Sequence, residues 1–164
     1  MTAQDVAFLL LGIVGGLAAI RLVTSQNVVH AALYLVVTLA MVGAIYLLIA
    51  AEFLAWVQVL IYVGAIVVLV LFSLMLTKAP IGRETLDNQQ RVVAAVVGLG
   101  VLAGLLYLIQ STFGGKKVVL QPVRTAQIGI SLFRDFVLPF EVVSVLLLAA
   151  LIGAVVIARK DDLP

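Results

Sequence analysis

"QVLIYVGAIVVLVLFSLML", residues 58–76, carries no charged side chain over 19 positions. At about 1.5 Å of rise per residue such a run nearly crosses the roughly 30 Å hydrocarbon core of a bilayer. Lipid offers no hydrogen bonds to a bare backbone, so a run crossing it must be helical. Two details exceed what crossing requires. An amide, Gln58, stands near one end, and the triplet Tyr62-Val63-Gly64 lies where Leu and Ala would serve.

The rest of the chain is of the same kind. Of 164 residues, 65% are hydrophobic and 11% charged, far from the near-half apolar and quarter charged composition of soluble domains. Five apolar runs appear, at about residues 6–23, 28–50, 53–77, 92–113 and 139–158. They predict an all-α polytopic membrane protein with five transmembrane helices, one membrane domain over 1–164 and no soluble domain. The N-terminal segment lacks a basic leader and a small-residue cleavage site, so it reads as a retained span. A net charge of +2 gives no nucleic-acid footprint. With no cysteine, the chain has no disulfide, thiolate metal site or iron–sulfur cluster, and His30 as the single histidine argues against a metal centre. Lysine and arginine placement favours the N-terminus outside and the C-terminus in the cytoplasm. That orientation puts Arg21, Lys78, Arg83, Arg91, Arg159 and Lys160 inside, against Lys116, Lys117, Arg124 and Arg134 outside.

Ionisable groups in apolar runs need a reason, because charge at the centre of a span costs about 2.5–3.5 kcal/mol on insertion scales. Glu52 and Glu141 are two such groups, each expected in the first turn of its helix, where the backbone dipole favours a carboxylate. Both are candidates for a proton path; the alternative is a favourable helix start at the lipid boundary. Asp5 reads as structural, and His30 as an interfacial anchor. In an α-helix Tyr62 falls about 40° from Gln58 and Ser73 about 60° from it, a polar stripe interrupted by apolar residues. Glycine weakens a helix interior by roughly 1 kcal/mol and β-branched neighbours crowd it. The Tyr62–Gly64 block is therefore a place for a π-bulge, which rotates everything beyond it by about 100°. Alternatively, Gly64 only admits a neighbouring helix. The pairs Gly12/Gly16 and Gly100/Gly104 have the spacing of close helix contacts, although glycine is common in membrane helices anyway.

"AEFLAWVQVLIYVGAIVVLVLFSLMLT" (51–77) resembles the third-helix signature of subunit J of bacterial NADH-quinone oxidoreductase, respiratory complex I, whose mitochondrial counterpart is chain 6. "IGISLFRDFVLPFEVVSVLLLAALIGAVVIARKD" (128–161) is similar to that family's last helix, and "NVVHAALYLVVTLA" to the start of its second. The resemblance implies a non-catalytic membrane-arm subunit in a bacterial-type inner membrane, surrounded by other subunits of the complex. It implies no cofactor on this chain, with FMN, iron–sulfur clusters and quinone held elsewhere. It further implies a third helix able to gain and lose a π-bulge at Tyr62, Val63 and Gly64, coupling quinone reduction to proton translocation. Some relatives carry glutamate where this chain has Gln58, which shifts the proton-carrying role towards Glu52. Two other readings stay open: a purely structural assembly subunit, and a subunit of a multi-subunit cation/proton antiporter.

Overall fold

The computed structural model describes residues 2–77, 91–114 and 123–159. Its elements are α1 (Ala3–Thr24), α2 (Val28–Leu48), α3 (Glu52–Val57), a π-helix (Gln58–Ile66), α4 (Val67–Leu76), α5 (Arg91–Phe113), α6 (Thr125–Arg134) and α7 (Val137–Ala158). The segments α3, π-helix and α4 run on without a break, so five helices are long and apolar enough to cross a membrane: Ala3–Thr24, Val28–Leu48, Glu52–Leu76, Val92–Phe113 and Val137–Ala158. Of the residues counted for orientation, Lys78, Arg83, Lys116, Lys117 and Lys160 lie outside the described ones, as does the polar loop of residues 78–90.

The chain divides into two compact units, Met1–Pro122 and Val123–Pro164. In the first, α2 packs against α1 and against all three parts of the third span. Small residues allow these approaches. A Cβ placed on Gly15 would sit 3.1 Å from Met41 Cβ, and one on Gly43 would sit 3.4 Å from Val59 Cγ2 and 3.5 Å from Gln58 Cγ. At the expected contact pairs no other helix of this chain approaches: among the described residues, a Cβ added to Gly12, Gly16, Gly100 or Gly104 would have nothing within 4 Å.

Local chemistry sets the helix ends. Thr2 and Asp5 form a capping box: the Asp5 N–H donates to Thr2 Oγ1 at 3.3 Å and the Thr2 N–H to Asp5 Oδ2 at 2.7 Å. This starts α1 at Ala3, ahead of the apolar run, and gives Asp5 its structural role. Asn27 Oδ1 accepts from the N–H groups of Val29 (2.9 Å) and His30 (3.3 Å), capping α2 as its position suggests. At the far end of α2, the Ala51 N–H donates to the Tyr46 carbonyl and the Ala50 N–H to that of Leu47. This is the paired pattern of a Schellman turn, with Ala50 at the left-handed position, φ 59°.

In the second unit α6 packs against α7. Composition alone reads the α6 segment as connection and starts the last span at Pro139. The span begins instead at Val137. Proline is tolerated in a first turn, where its missing N–H would have had no intrahelical partner.

Candidate functional site: a π-wound segment in the third span

From Gln58 to Ile66 the third span is wound as a π-helix: the Gln58 N–H still bonds the Leu54 and Ala55 carbonyls, as in ordinary winding, and the segment closes with the Val67 N–H on the Tyr62 carbonyl, five residues back. The stretch contains the Tyr62-Val63-Gly64 block. Long π segments are rare, and single-turn ones are frequent at functional sites. Gly64 explains part of its placement. A Cβ there would come within 3.3 Å of the Val59 carbonyl oxygen five residues back, so a side chain at 64 would press on the backbone of the π-wound segment. No such pressure arises from a glycine.

Burial reports the same winding independently. Gln58 is 7% exposed and Val67 1% exposed, so both point into the packing against α2. In a continuous α-helix, nine residues turn the chain through about 900°, which would place Val67 opposite Gln58. The π-wound segment brings the two onto one face. Tyr62, which α winding would put beside Gln58, lies on the outside at 45% exposure, and Ser73 is exposed as well. The polar stripe is thus broken in this register, and Val67 occupies the inward position instead.

Gln58 is the buried polar side chain of the described core. Its Nε2 donates to the Leu39 carbonyl on α2 at 3.3 Å, across the slot that Gly43 leaves open. A buried amide without a partner would cost about 1–3 kcal/mol, so this bond is what makes a glutamine tolerable here. Glu52 is the first residue of α3 and is exposed; its helix start has no side-chain cap. Glu141, in the second unit, is also exposed. Because α7 starts at Val137, Glu141 falls in the second turn rather than the first, about 6 Å along the axis from the start. Ser144 Oγ donates to the Glu141 backbone carbonyl at 2.7 Å, leaving the carboxylate free of that contact. Among the described residues, no hydrogen bond joins any two of the side chains of Glu52, Gln58, Tyr62 and Glu141, and no three metal-binding side chains gather.

Sequence reasoning singles out the amide and the soft triplet, but it does not tell which residues the winding turns inward. Val67 is one valine among many in an apolar run. Gly43, which shapes the slot, gives no more signal than a single glycine in another such run.

Comparison with known proteins agrees with this architecture. The family described as NADH-ubiquinone/plastoquinone oxidoreductase chain 6 matches residues 18–157. The chain is 38% identical to NAD(P)H-quinone oxidoreductase chain 6 of Leptolyngbya boryana, over 98% of this chain and 82% of that protein. It is 41% identical to the chloroplastic NAD(P)H-quinone oxidoreductase subunit 6 of Chara vulgaris, over 96% and 91%. It is 36% identical to F(420)H(2) dehydrogenase subunit J of Methanosarcina mazei, over 96% and 92%. Five apolar helices, a family match along most of its length and these relatives make this chain a multi-pass membrane protein of the NADH-ubiquinone/plastoquinone oxidoreductase chain 6 family.

Proposed function

We propose that the chain is a membrane-arm subunit of a proton-pumping oxidoreductase of the complex I type, and that its third span couples quinone reduction to proton movement by changing register. The observation that carries the reading is the joint burial of Gln58 and Val67 across a π-wound segment. If the π turns relax to α winding while the Glu52 end stays fixed, the helix beyond rotates, by about 100° for each inserted residue taken out. Tyr62 and Ser73 then come towards the face of Gln58, and Val67 leaves it. One register lines the face with an amide, a phenol and a hydroxyl that can hydrogen-bond water. The other, seen here, closes it with valine.

Protons also need ionisable stations. Glu52 supplies one at the helix start and Glu141 a second, one turn into α7; neighbouring subunits hold the remainder, along with FMN, iron–sulfur clusters and quinone. The relatives include a NAD(P)H- and an F(420)H(2)-linked protein, which supports a subunit that serves the membrane step and leaves donor choice to others. Such relatives also favour the quinone-linked reading over the cation/proton exchanger. The proposed setting is a bacterial-type inner membrane, N-terminus outside.

Gly64→Val in the assembled complex tests the reading. The added side chain presses on the Val59 carbonyl and disfavours π winding, so the protons moved per quinone reduced should fall while assembly and quinone binding persist. Full pumping efficiency in this variant would overturn the switch. The Gln58–Leu39 bond also suits a purely structural role, in which polar contacts serve as packing glue. In that case Tyr62→Phe and Glu52→Gln would leave pumping unchanged in a fully assembled complex.

A further inference from the structure

The helix α6 has an arrangement that a simple connection between spans does not need. Its residues fall into three stripes of helical spacing. Ala126, Ile130 and Phe133 (i, i+4, i+7) are apolar and exposed, Ile130 at 62% and Phe133 at 66%. One position on, Gln127, Ser131 and Arg134 form a polar stripe at the same spacing, Gln127 and Arg134 exposed and Ser131 half-buried. One further on, Ile128 and Leu132 are half-buried, in a helix that packs against α7. Viewed end-on, the polar stripe lies about 100° from the exposed apolar one and about 100° from the stripe of Ile128 and Leu132, so a narrow polar face is flanked on both sides by apolar ones.

Chain connectivity fixes where α6 lies relative to the membrane. Only Asp135 and Phe136 separate α6 from α7, and α7, at 22 residues, is long enough to cross the membrane. The end of α6 is therefore within a few ångströms of the point where the chain enters hydrocarbon. The elbow is held by the Phe133 and Phe140 rings, whose centroids are 5.0 Å apart at an interplanar angle of 62°. The helix is bracketed by two exposed guanidinium groups, Arg124 before its first residue and Arg134 at its last, with Asp135 offsetting part of their charge. Planar guanidinium groups match phosphate oxygens two at a time.

We propose that α6 is an interfacial helix seated on the phospholipid surface. Ala126, Ile130 and Phe133 dip into the acyl-chain boundary, Gln127 faces water, and Arg124 and Arg134 hold lipid phosphates at either end. This is the disposition of amphipathic helices that lie in the headgroup plane. Its role is to fix the depth and tilt at which α7 enters the bilayer, and with it the level of Glu141.

The absence of cysteine makes the test direct. Ala126→Cys, Ile130→Cys, Gln127→Cys and Arg134→Cys, each spin-labelled in the full chain, are read in vesicles of phosphatidylcholine and phosphatidylglycerol. Accessibility to dissolved oxygen should exceed accessibility to a water-soluble nickel chelate at positions 126 and 130, by several-fold relative to positions 127 and 134. Equal ratios at all four positions would overturn the proposal. Combining Arg124→Gln with Arg134→Gln should raise nickel access at position 130; an unchanged value would remove the phosphate contacts from the proposal. In the assembled complex, a photo-crosslinking residue at Ile130 should yield lipid adducts, and an adduct with a neighbouring subunit would overturn the lipid assignment.

Discussion

The third span and α5 have nearly the same composition and opposite character. α5, Arg91–Phe113, is α-helical throughout, and every residue of 92–113 is exposed in the chain by itself. The third span holds Ala55, Gln58 and Val67 against α2 and departs from α winding over nine residues to do so. Both are apolar enough to cross a membrane. Hydrophobicity therefore specifies that a helix crosses, while the winding and one buried amide specify which face it turns inward. The first property tolerates wide substitution. The second hangs on a few atoms.

Four substitutions probe that contrast. The largest effect is expected for Gly43→Leu. The added side chain must occupy the slot that holds the Gln58 stem and Val59, where a Cβ alone already makes 3.4–3.5 Å contacts. Overpacking of this kind costs about 1–3 kcal/mol, read as a lower midpoint of thermal inactivation of the purified complex. Next, Gln58→Leu keeps the volume but removes the bond to the Leu39 carbonyl, at a cost of about 1 kcal/mol on the same assay. A value near zero would mean that the π-wound segment does not depend on this anchor. Ala50→Gly relieves a left-handed conformation that penalises a Cβ and should stabilise the turn by about 1 kcal/mol. The smallest packing effect belongs to α5. Gly98 has nothing within 4 Å of a Cβ position, so Gly98→Ala should cost nothing in packing and gain at most about 1 kcal/mol from helix propensity. A large loss at Gly98 would show that α5 has a packed face after all, and the contrast would fail.

The five spans are legible because length and apolarity are local properties, and helices are the way a single segment satisfies its backbone in lipid. Asn27 as a cap is legible for the same reason: its partners are two and three residues away. The soft Tyr62–Gly64 block can be read from glycine among β-branched neighbours. Its consequence cannot, because turning Val67 inward and Tyr62 outward is decided by packing against α2. Which glycine meets a neighbour within the chain is likewise not decided by sequence. Gly12 and Gly16 have the usual spacing, yet Gly15 is the one that meets Met41, and spacing within one helix does not reveal where its neighbour lies. The helix α6 escapes notice because ten residues of mixed polarity resemble a loop when only long apolar runs are sought. Its Ala126, Ile130 and Phe133 spacing is the available signal.

The turn at Ile49–Ala51 bears on how the protein is made. A joint this short leaves α2 and the third span no choice but to lie antiparallel, so Leu39 and Gln58 are partners inside one helical hairpin. If the hairpin forms before leaving the insertion machinery, the glutamine amide enters hydrocarbon with its donor already engaged. The third span, which carries the amide, then depends on α2 being beside it when it enters the membrane.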